Sequence, residues 1–263
     1  MKLILTIAGS DSSAGAGLQA DLKTIAAFEG YGVCAVTAVV AEAPGEVLSV
    51  HPMPPETLED QLAVLADHFP IDTIKTGMLA TAENATVVAE FVEKWTDIPL
   101  IVDPVLVASS GDPLLDGEGG LAVYRERIVP RATLTTPNFP EIQALLDTAA
   151  TDPETLVKAF HGAFGTPVLL KGGHTIEPDS AFVTDTFFDG RDVCEFKSEV
   201  IPVSDTHGTG CTLSAAIAAT YDPVFPIQDS IDRARDFLGE AMRQSHLWNG
   251  ELRALNHFPK RVD

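Results

Sequence analysis

The order of apolar and amphipathic segments constrains the fold of this chain more than any other feature. Short runs of apolar and β-branched residues alternate with longer stretches whose apolar residues recur at helical spacing. The runs predicted as strands are Leu3–Ala8, Val33–Ala41, Asp72–Thr76, Leu100–Val102, Ala132–Thr136 and Thr166–Lys171, and the stretches predicted as helices are Gly15–Glu29, Pro55–His68, Thr81–Trp95, Gly208–Tyr221 and Asp229–Trp248. Apolar strands joined through helices are typical of a parallel sheet covered on both faces. We therefore predict an α/β fold with a mostly parallel central sheet.

The segment from Ser180 to Val203 departs from this alternation. Its apolar and polar residues alternate singly, and Asp189-Gly190 in its middle favours a tight hairpin turn. We predict a small antiparallel ribbon here. The chain of 263 residues contains no Gly/Ser-rich linker or repeat, so we expect a single domain over residues 1–263.

Polar residues or glycines follow six of the predicted strands. They are Gly9-Ser10-Asp11, Glu42, Lys75-Thr76-Gly77, Asp103, Asn138 and Lys171-Gly172-Gly173-His174. Parallel sheets bind ligands at the carboxyl ends of their strands, where these residues meet. One or two such residues are explained as turn formers, but six in succession indicate a binding site.

The run Thr206-His207-Gly208-Thr209-Gly210-Cys211-Thr212 precedes a helical stretch rich in Ser and Ala. Two glycines let the backbone bend closely around a ligand, and free N–H groups at a helix start attract anions. A cysteine in that first turn is expected to have a lowered pKa. The run therefore indicates either a phosphate site with a reactive Cys211 or an ordinary helix start with a buried cysteine.

Three charged residues near the strand ends suit the same chemistry. Lys171 can meet a phosphate as a point charge, and Asp103 and Glu141 offer the oxygen ligands that Mg²⁺ prefers. Alternatively, Lys171 is a surface lysine beside a turn, Asp103 begins a turn before Pro104, and Glu141 lies in the first turn of a helix without binding a ligand.

Composition excludes several classes of protein. The net charge of −21 opposes nucleic-acid binding, and no apolar stretch has the length of a membrane span. Three cysteines without paired spacing argue against a disulfide framework and favour a reducing, cytoplasmic setting.

No P-loop or zinc motif occurs. Gly15-Ala16-Gly17-Leu18-Gln19-Ala20 fits a dinucleotide pattern but lies too far beyond the first strand, so an NAD-dependent oxidoreductase is a distant alternative.

Seven runs in the chain resemble one known family. They are LTIAGSDSSAGAGLQADLKT (5–24), KTGML (75–79), VDPV (102–105), SGDPLL (110–115), TPNFPE (136–141), LKGGH (170–174) and THGTGCTLSAA (206–216). In order and content they resemble the hydroxymethylpyrimidine/phosphomethylpyrimidine kinases of thiamin biosynthesis, ribokinase-like enzymes related to pyridoxal kinases. The resemblance implies a ribokinase-like fold and phosphoryl transfer from ATP, with Mg²⁺, to a pyrimidine alcohol and then to its monophosphate.

The resemblance also implies roles for individual residues. The anion hole would comprise Gly208, Thr209, Gly210 and Cys211, with Cys211 as general base; ATP would be bound by Lys171, Asn138, Glu141, Thr206 and His207; Mg²⁺ would be held by Asp103 and Glu141; and the pyrimidine would be bound by Gly9, Asp21, Glu42, Met78 and Val105. The SGDPLL run would form a lid that excludes water. Such catalysis consists mostly of positioning and charge stabilisation. Relatives of this kind also commonly form homodimers.

Glu42 departs from the family pattern, in which a glutamine occupies this position. Glutamine both donates and accepts hydrogen bonds, whereas an ionised glutamate only accepts. Glu42 would therefore suit a protonated aminopyrimidine, or be protonated itself in a dry pocket. Alternatively, the acceptor is pyridoxal or another hydroxymethylated heterocycle, or the chain is a non-catalytic binding protein on the same fold.

Overall fold

A mixed nine-stranded sheet forms the centre of the computed structural model, which describes residues 1–106, 117–174, 180–202, 207–248 and 252–260. Its strands are β1 (Leu3–Asp11), β2 (Tyr31–Ala43), β3 (Glu46–Pro52), β4 (Thr73–Thr76), β5 (Leu100–Val102), β6 (Leu134–Thr135), β7 (Val168–Leu170), β8 (Phe182–Phe188) and β9 (Val193–Glu199). They lie in the order β3-β2-β1-β4-β5-β6-β7-β8-β9. The six central strands, β2, β1, β4, β5, β6 and β7, are parallel to one another. The outer strands β3, β8 and β9 are antiparallel to their neighbours. The predicted parallel sheet and antiparallel ribbon are both confirmed.

Helices cover both faces of this sheet. They are α1 (Gly17–Ala27), α2 (Pro55–His68), α3 (Ala82–Lys94), α4 (Gly117–Val123), α5 (Phe139–Leu146), α6 (Pro153–Phe164), α7 (Thr209–Thr220) and α8 (Ile227–Arg243). One buried apolar cluster joins α2, α3, α5 and α6 to the sheet, and a second joins α1, α7 and α8 to the opposite face. Among the described residues, no helix combines the length and apolar character needed to cross a membrane.

Helix α7 is buried along nearly its whole length, from Thr212 to Thr220. Its residues are small and apolar on all sides, which is typical of a helix enclosed by neighbours rather than lying at the surface. It packs against α1, α8 and strands β4 and β5. This packing fixes the position of its N-terminus at the carboxyl edge of the sheet.

Several elements differ from the sequence predictions, among them helices α4 and α6, which were not predicted. The last predicted helix ends at Arg243 instead of Trp248, and His246–Trp248 (β10) pairs with Leu252–Ala254 (β11) as a separate two-stranded sheet. Strand β3 was not predicted because it is a partly exposed edge strand, with Leu48 78% accessible, and has little apolar periodicity. Its pairing with β2 shifts register between Ala41 and Glu42.

Candidate active site

A compact charged cluster lies where β5, β6 and β7 end. Lys171 Nζ lies 2.7 Å from Asp103 Oδ1 and 3.8 Å from Glu141 Oε2. Asp103 and Glu141 are buried, and only 14% of the Lys171 side chain is accessible. The Asp103 carboxylate also accepts hydrogen bonds from Thr136 Oγ1 and Ser214 Oγ. The structure thus brings together the three charged residues that the sequence selected.

Helix α5 holds Glu141 in place through a capping box. Asn138 Oδ1 accepts the Glu141 N–H at 2.9 Å, and Glu141 Oε2 accepts the Asn138 N–H at 2.7 Å. An isolated bridge joins Asn138 to Lys171 on the neighbouring strand end. The capping box and this bridge therefore fix Asn138 and Glu141 beside Lys171.

The cluster contains carboxyl groups of unequal acidity. Burial would raise the pKa of Asp103, but Lys171 and Lys75 hold it below its usual value. Burial raises the pKa of Glu141 to about 7, since Lys171 offsets only part of this effect and Asp103 adds to it. A cation bound close to Glu141 would therefore stabilise the ionised form of its carboxyl group.

The glycine loop before α7 lies directly against this cluster. A Cβ placed on Gly210 would lie 3.3 Å from Lys171 Nζ and 3.7 Å from Asp103 Oδ2. Gly208 has a left-handed φ of 81°, and a Cβ there would lie 1.8 Å from the carbonyl oxygen of Gly15. The structure thus places Gly210 against the charged residues, whereas Thr206 and the SGDPLL run lie outside the described residues. That Gly208, Thr209, Gly210 and Cys211 form an anion hole stays a prediction.

The Cys211 thiol corrects one expectation. The helix start was expected to lower its pKa, but burial raises the pKa of this thiol to about 12, with Lys75 opposing and Asp21 and Asp103 reinforcing the increase. The side chain is partly accessible. Desolvation and nearby carboxylates therefore outweigh the helix N-terminus, and the thiol is protonated at neutral pH.

An apolar patch adjoins the strand ends on the β1 and β2 side. Met78 packs with Ala38 and Val40, and the partly buried Val105 lies against the same group. A Cβ on Gly9 would lie 3.2 Å from Met78 Sδ, so the absence of a side chain at Gly9 leaves room for the thioether. The predicted substrate residues Gly9, Met78 and Val105 are therefore neighbours.

Glu42 lies in a cluster with Asp11 and His207. Their ligand-type atoms all lie within 4.8 Å of one another. His207 Nε2 is 3.0 Å from Asp11 Oδ2, and the N–H groups of Gly15 and Ala16 also donate to this oxygen. Burial and the Asp11 charge raise the pKa of Glu42 to about 7, against the opposing effect of His207. Near neutral pH, Glu42 is thus present both as an acid and as a carboxylate.

Asp21 is a predicted substrate residue that the structure places in a buried ion pair with Lys75. Its carboxylate is fully buried and accepts hydrogen bonds from Lys75 Nζ at 2.9 and 3.0 Å and from Thr6 Oγ1 at 2.5 Å. Both carboxylate oxygens of Asp21 therefore already have protein donors. That Asp21 lines the pyrimidine pocket stays a prediction.

Sequence reasoning placed Asp11 and Lys75 at strand ends without giving them a role, and it overlooked Ser214. Lys75 pairs with Asp21, Asp11 links two loops, and Ser214 donates to Asp103. Lys75 carried a signal, since it is a lysine within a strand that is otherwise buried. Ser214 lies one turn after Cys211 and so shares its helix face, a spacing that the sequence displays.

A family model described as phosphomethylpyrimidine kinase matches residues 11–254 of the chain. The hydroxymethylpyrimidine/phosphomethylpyrimidine kinase of Escherichia coli is 40% identical over 245 residues, covering 92% of this chain and 91% of the relative. The thiamine biosynthesis bifunctional protein ThiED of Geobacter sulfurreducens is 40% identical over 243 residues, covering 91% of this chain. The chain spans about half the length of that bifunctional relative, 49%.

Solved structures share the same architecture. The ADP complex of Bacillus subtilis pyridoxal kinase aligns with a TM-score of 0.87 at 31% identity, covering 98% of this chain and 97% of the other. The ribokinase-like fold predicted from the sequence is thereby confirmed.

Proposed function

Because the chain belongs to the phosphomethylpyrimidine kinase family, we propose that it transfers the γ-phosphoryl group of ATP to a hydroxymethylpyrimidine and then to its monophosphate. One observation carries the proposal. The charged cluster of Lys171, Asp103 and Glu141 contacts the glycine loop of α7 at the same sheet edge as the apolar patch around Met78. A phosphate site and a ring site thus adjoin each other.

The phosphate end of ATP would lie between Lys171 and the start of α7. Helix α7 begins at Thr209, and its dipole favours negative charge at that end. Lys171 keeps its positive charge, since Asp103 and Glu141 raise its pKa despite burial. His207 belongs to the same loop, and we include Thr206 in the proposed nucleotide site from its place in the sequence.

Asp103 and Glu141 are the residues that would hold Mg²⁺. Both offer the carboxylate oxygens that Mg²⁺ prefers, and because burial raises the pKa of Glu141 to about 7, a bound cation would stabilise its ionised form. When bound, Mg²⁺ neutralises charge on the transferring phosphoryl group. The Lys171 ammonium aligns the Asp103 carboxylate, and the capping box fixes that of Glu141.

The pyrimidine would lie on Gly9, Met78 and Val105, with Glu42 at the rim of the patch. A flat ring can pack on this apolar surface, because Gly9 has no side chain and the Met78 thioether is adaptable in shape. Glu42 in its protonated form donates and accepts, as a glutamine does, and in its ionised form accepts from a protonated ring. A pKa of about 7 makes both forms available.

We propose Cys211 as the acceptor of the hydroxyl proton. A pKa of about 12 leaves roughly one thiol in 10⁵ ionised at pH 7. Phosphoryl transfer through a loose transition state needs little removal of the proton before the P–O bond is well formed. The Cys211 thiolate, present as that small fraction, would therefore take the proton late, when the oxygen that bridges to phosphorus has become acidic, and the resulting thiol would return the proton to solvent.

Pyridoxal is a second candidate acceptor. Two observations favour it: Glu42 in the place of a glutamine, and the structural likeness to pyridoxal kinase at a TM-score of 0.87.

We further propose a homodimer in the cytoplasm. The three cysteines are all free, which suits a reducing compartment, and light scattering of the purified protein would determine its mass in solution.

The test is ATP consumption with Mg²⁺ and three acceptors: hydroxymethylpyrimidine, its monophosphate and pyridoxal, with products identified by mass spectrometry. Turnover of both pyrimidines supports the proposal. Turnover of pyridoxal alone would replace the substrate assignment. Absence of turnover with every acceptor, while ATP still binds in calorimetry, would favour a non-catalytic binding protein.

A further inference from the structure

Asp185, on β8, lies directly beside Lys171 and has no role in the site described above. Strands β7 and β8 pair in antiparallel register with Leu170 opposite Thr186, so Lys171 and Asp185 are the next residues along this register. At Gly172 the chain leaves the strand for a short 3-10 helix, and Asp185 Oδ1 accepts the Gly172 N–H at 2.7 Å. A buried carboxylate thus holds the peptide bond that follows the lysine of the proposed phosphate site.

Helix α8 fixes the Asp185 carboxylate from the other side. Arg235 forms a buried ion pair with Asp185 Oδ2, and its guanidinium also donates to Ser198 Oγ at 2.7 Å. The same guanidinium lies 5.8 Å from the centre of the Phe196 ring. One carboxylate oxygen is therefore bound to the arginine, and the other is directed at the Gly172 N–H.

The backbone around Lys171 is held from the strands on either side. The Lys171 N–H donates to the Pro137 carbonyl oxygen at 2.9 Å, on the β6 side, and the next N–H along the chain donates to Asp185, on the β8 side. A Cβ on Gly172 would collide with the Thr184 carbonyl oxygen, so the chain passes against β8 without room for a side chain. The direction of the Lys171 side chain depends on this backbone, because the backbone angles decide which rotamers are allowed.

Packing alone gives no reason for a charge at this position. Asp185 shares its face of β8 with Phe187, which belongs to the buried apolar cluster that joins α8 to the sheet. Apolar replacements of a buried ion pair are often neutral or stabilising. A carboxylate differs from an apolar side chain in accepting strong hydrogen bonds, and here one donor is the backbone next to Lys171.

We propose that Asp185 is a positioning residue that orients Lys171 toward the phosphate groups of the nucleotide. The inference rests on the proposed function, in which Lys171 meets the phosphate end of ATP. Lys171 Nζ lies 2.7 Å from Asp103 Oδ1, and a Cβ on Gly210 would lie 3.3 Å from it, so a small rotation of the Lys171 backbone moves the ammonium relative to both. Misplacement of a group by about 1 Å is costly in a reaction that depends on positioning.

Two double variants separate the hydrogen bond from the ion pair. Asp185→Asn with Arg235→Met keeps an oxygen that can accept the Gly172 N–H, whereas Asp185→Leu with Arg235→Met has a side chain of similar shape and no acceptor. Neither variant leaves a buried charge without its partner, and Arg235→Met is common to both and so cancels in the comparison. The measurements are ADP affinity by calorimetry, kcat and KM with each substrate varied in turn, and the melting temperature.

We expect the asparagine variant to bind ADP within about threefold of the wild-type affinity and the leucine variant to bind it about tenfold more weakly, because a buried hydrogen bond beside Lys171 is lost. The kcat of the leucine variant should fall about tenfold below that of the asparagine variant, while KM for the pyrimidine stays within about twofold in both.

A merely structural pair would change the melting temperature and leave ADP affinity and kcat equal in the two variants, and that result would overturn the inference. If the leucine variant does not fold, Asp185→Ala with Arg235→Met avoids overpacking and is compared with the asparagine variant in the same way. Wild-type protein that binds ADP but phosphorylates no acceptor would defeat the proposed function, while the order of ADP affinities would still decide the role of Asp185.

Discussion

The two halves of the proposed site are built on opposite principles. On the β5 to β7 side, Lys171 and Asp103 form a close ion pair beside the buried Glu141, and hydrogen bonds fix both carboxylates. On the β1 and β2 side, Gly9 and Met78 form an apolar surface. A charged half is suited to groups whose charge changes during reaction, whereas an apolar half recognises shape. The difference implies that changes on the two sides affect different kinetic constants.

The largest effect is expected from Lys171→Met. This change leaves Asp103 and Glu141 without their cation and removes a charge from the phosphate site, so kcat should fall about 10³-fold. KM for the pyrimidine should change little. Steady-state kinetics with each substrate varied in turn checks this, and a large increase in the pyrimidine KM would contradict the division between the halves.

Cys211→Ala tests the proposed proton acceptor. We expect kcat to fall about 10²-fold, since the proton acceptor is lost, while calorimetry shows ATP affinity near that of the wild type. Wild-type turnover should increase between pH 7 and pH 9, because the pKa of the thiol is about 12 and its ionised fraction rises throughout this range. The variant should lose that increase. Turnover near the wild-type level would remove Cys211 from the mechanism.

Met78→Ala is the matching change in the apolar half. It shortens a side chain that is 8% accessible and contacts the space beside Gly9. We expect KM for the pyrimidine to increase about tenfold, the size of effect that lost apolar contacts produce in a pocket. The KM for ATP should stay within twofold of the wild-type value. Equal increases in KM for the pyrimidine and in KM for ATP would show that the two halves do not bind the two substrates independently.

Glu42→Gln gives the smallest effect and the one most dependent on pH. The pKa of Glu42 is about 7 in the folded protein and about 4.3 in an unfolded chain, so the folded state binds its proton more tightly. Its contribution to stability is therefore complete below pH 4 and is lost as the pH rises through 7. The glutamine variant should gain more in melting temperature at pH 8 than at pH 4.

The same variant should use the neutral aminopyrimidine better above pH 7, because glutamine keeps a donor that ionised Glu42 lacks. Kinetic constants with the same pH dependence in both proteins would show that Glu42 does not contact the ring.

Local patterns in the sequence were sufficient for the fold and for part of the site. Helix Pro55–His68 and strand Leu100–Val102 have the predicted limits, because their apolar spacing and flanking residues are local features. The glycine loop and Lys171 were predicted for the same reason. Strand β3 was not, since an exposed edge strand depends on pairing with β2. The single-domain expectation for residues 1–263 remains a prediction.

Sequence alone determined which residues are available for the chemistry: a lysine at a strand end, acids beside it and a cysteine in a glycine loop. Tertiary structure decided their protonation and orientation. It enclosed Asp21 between Lys75 and Thr6, raised the pKa of Cys211 instead of lowering it, and placed Glu42 against Asp11. The reason is physical. Solvation and charge depend on neighbours brought together from distant parts of the chain, and local sequence patterns do not record those neighbours.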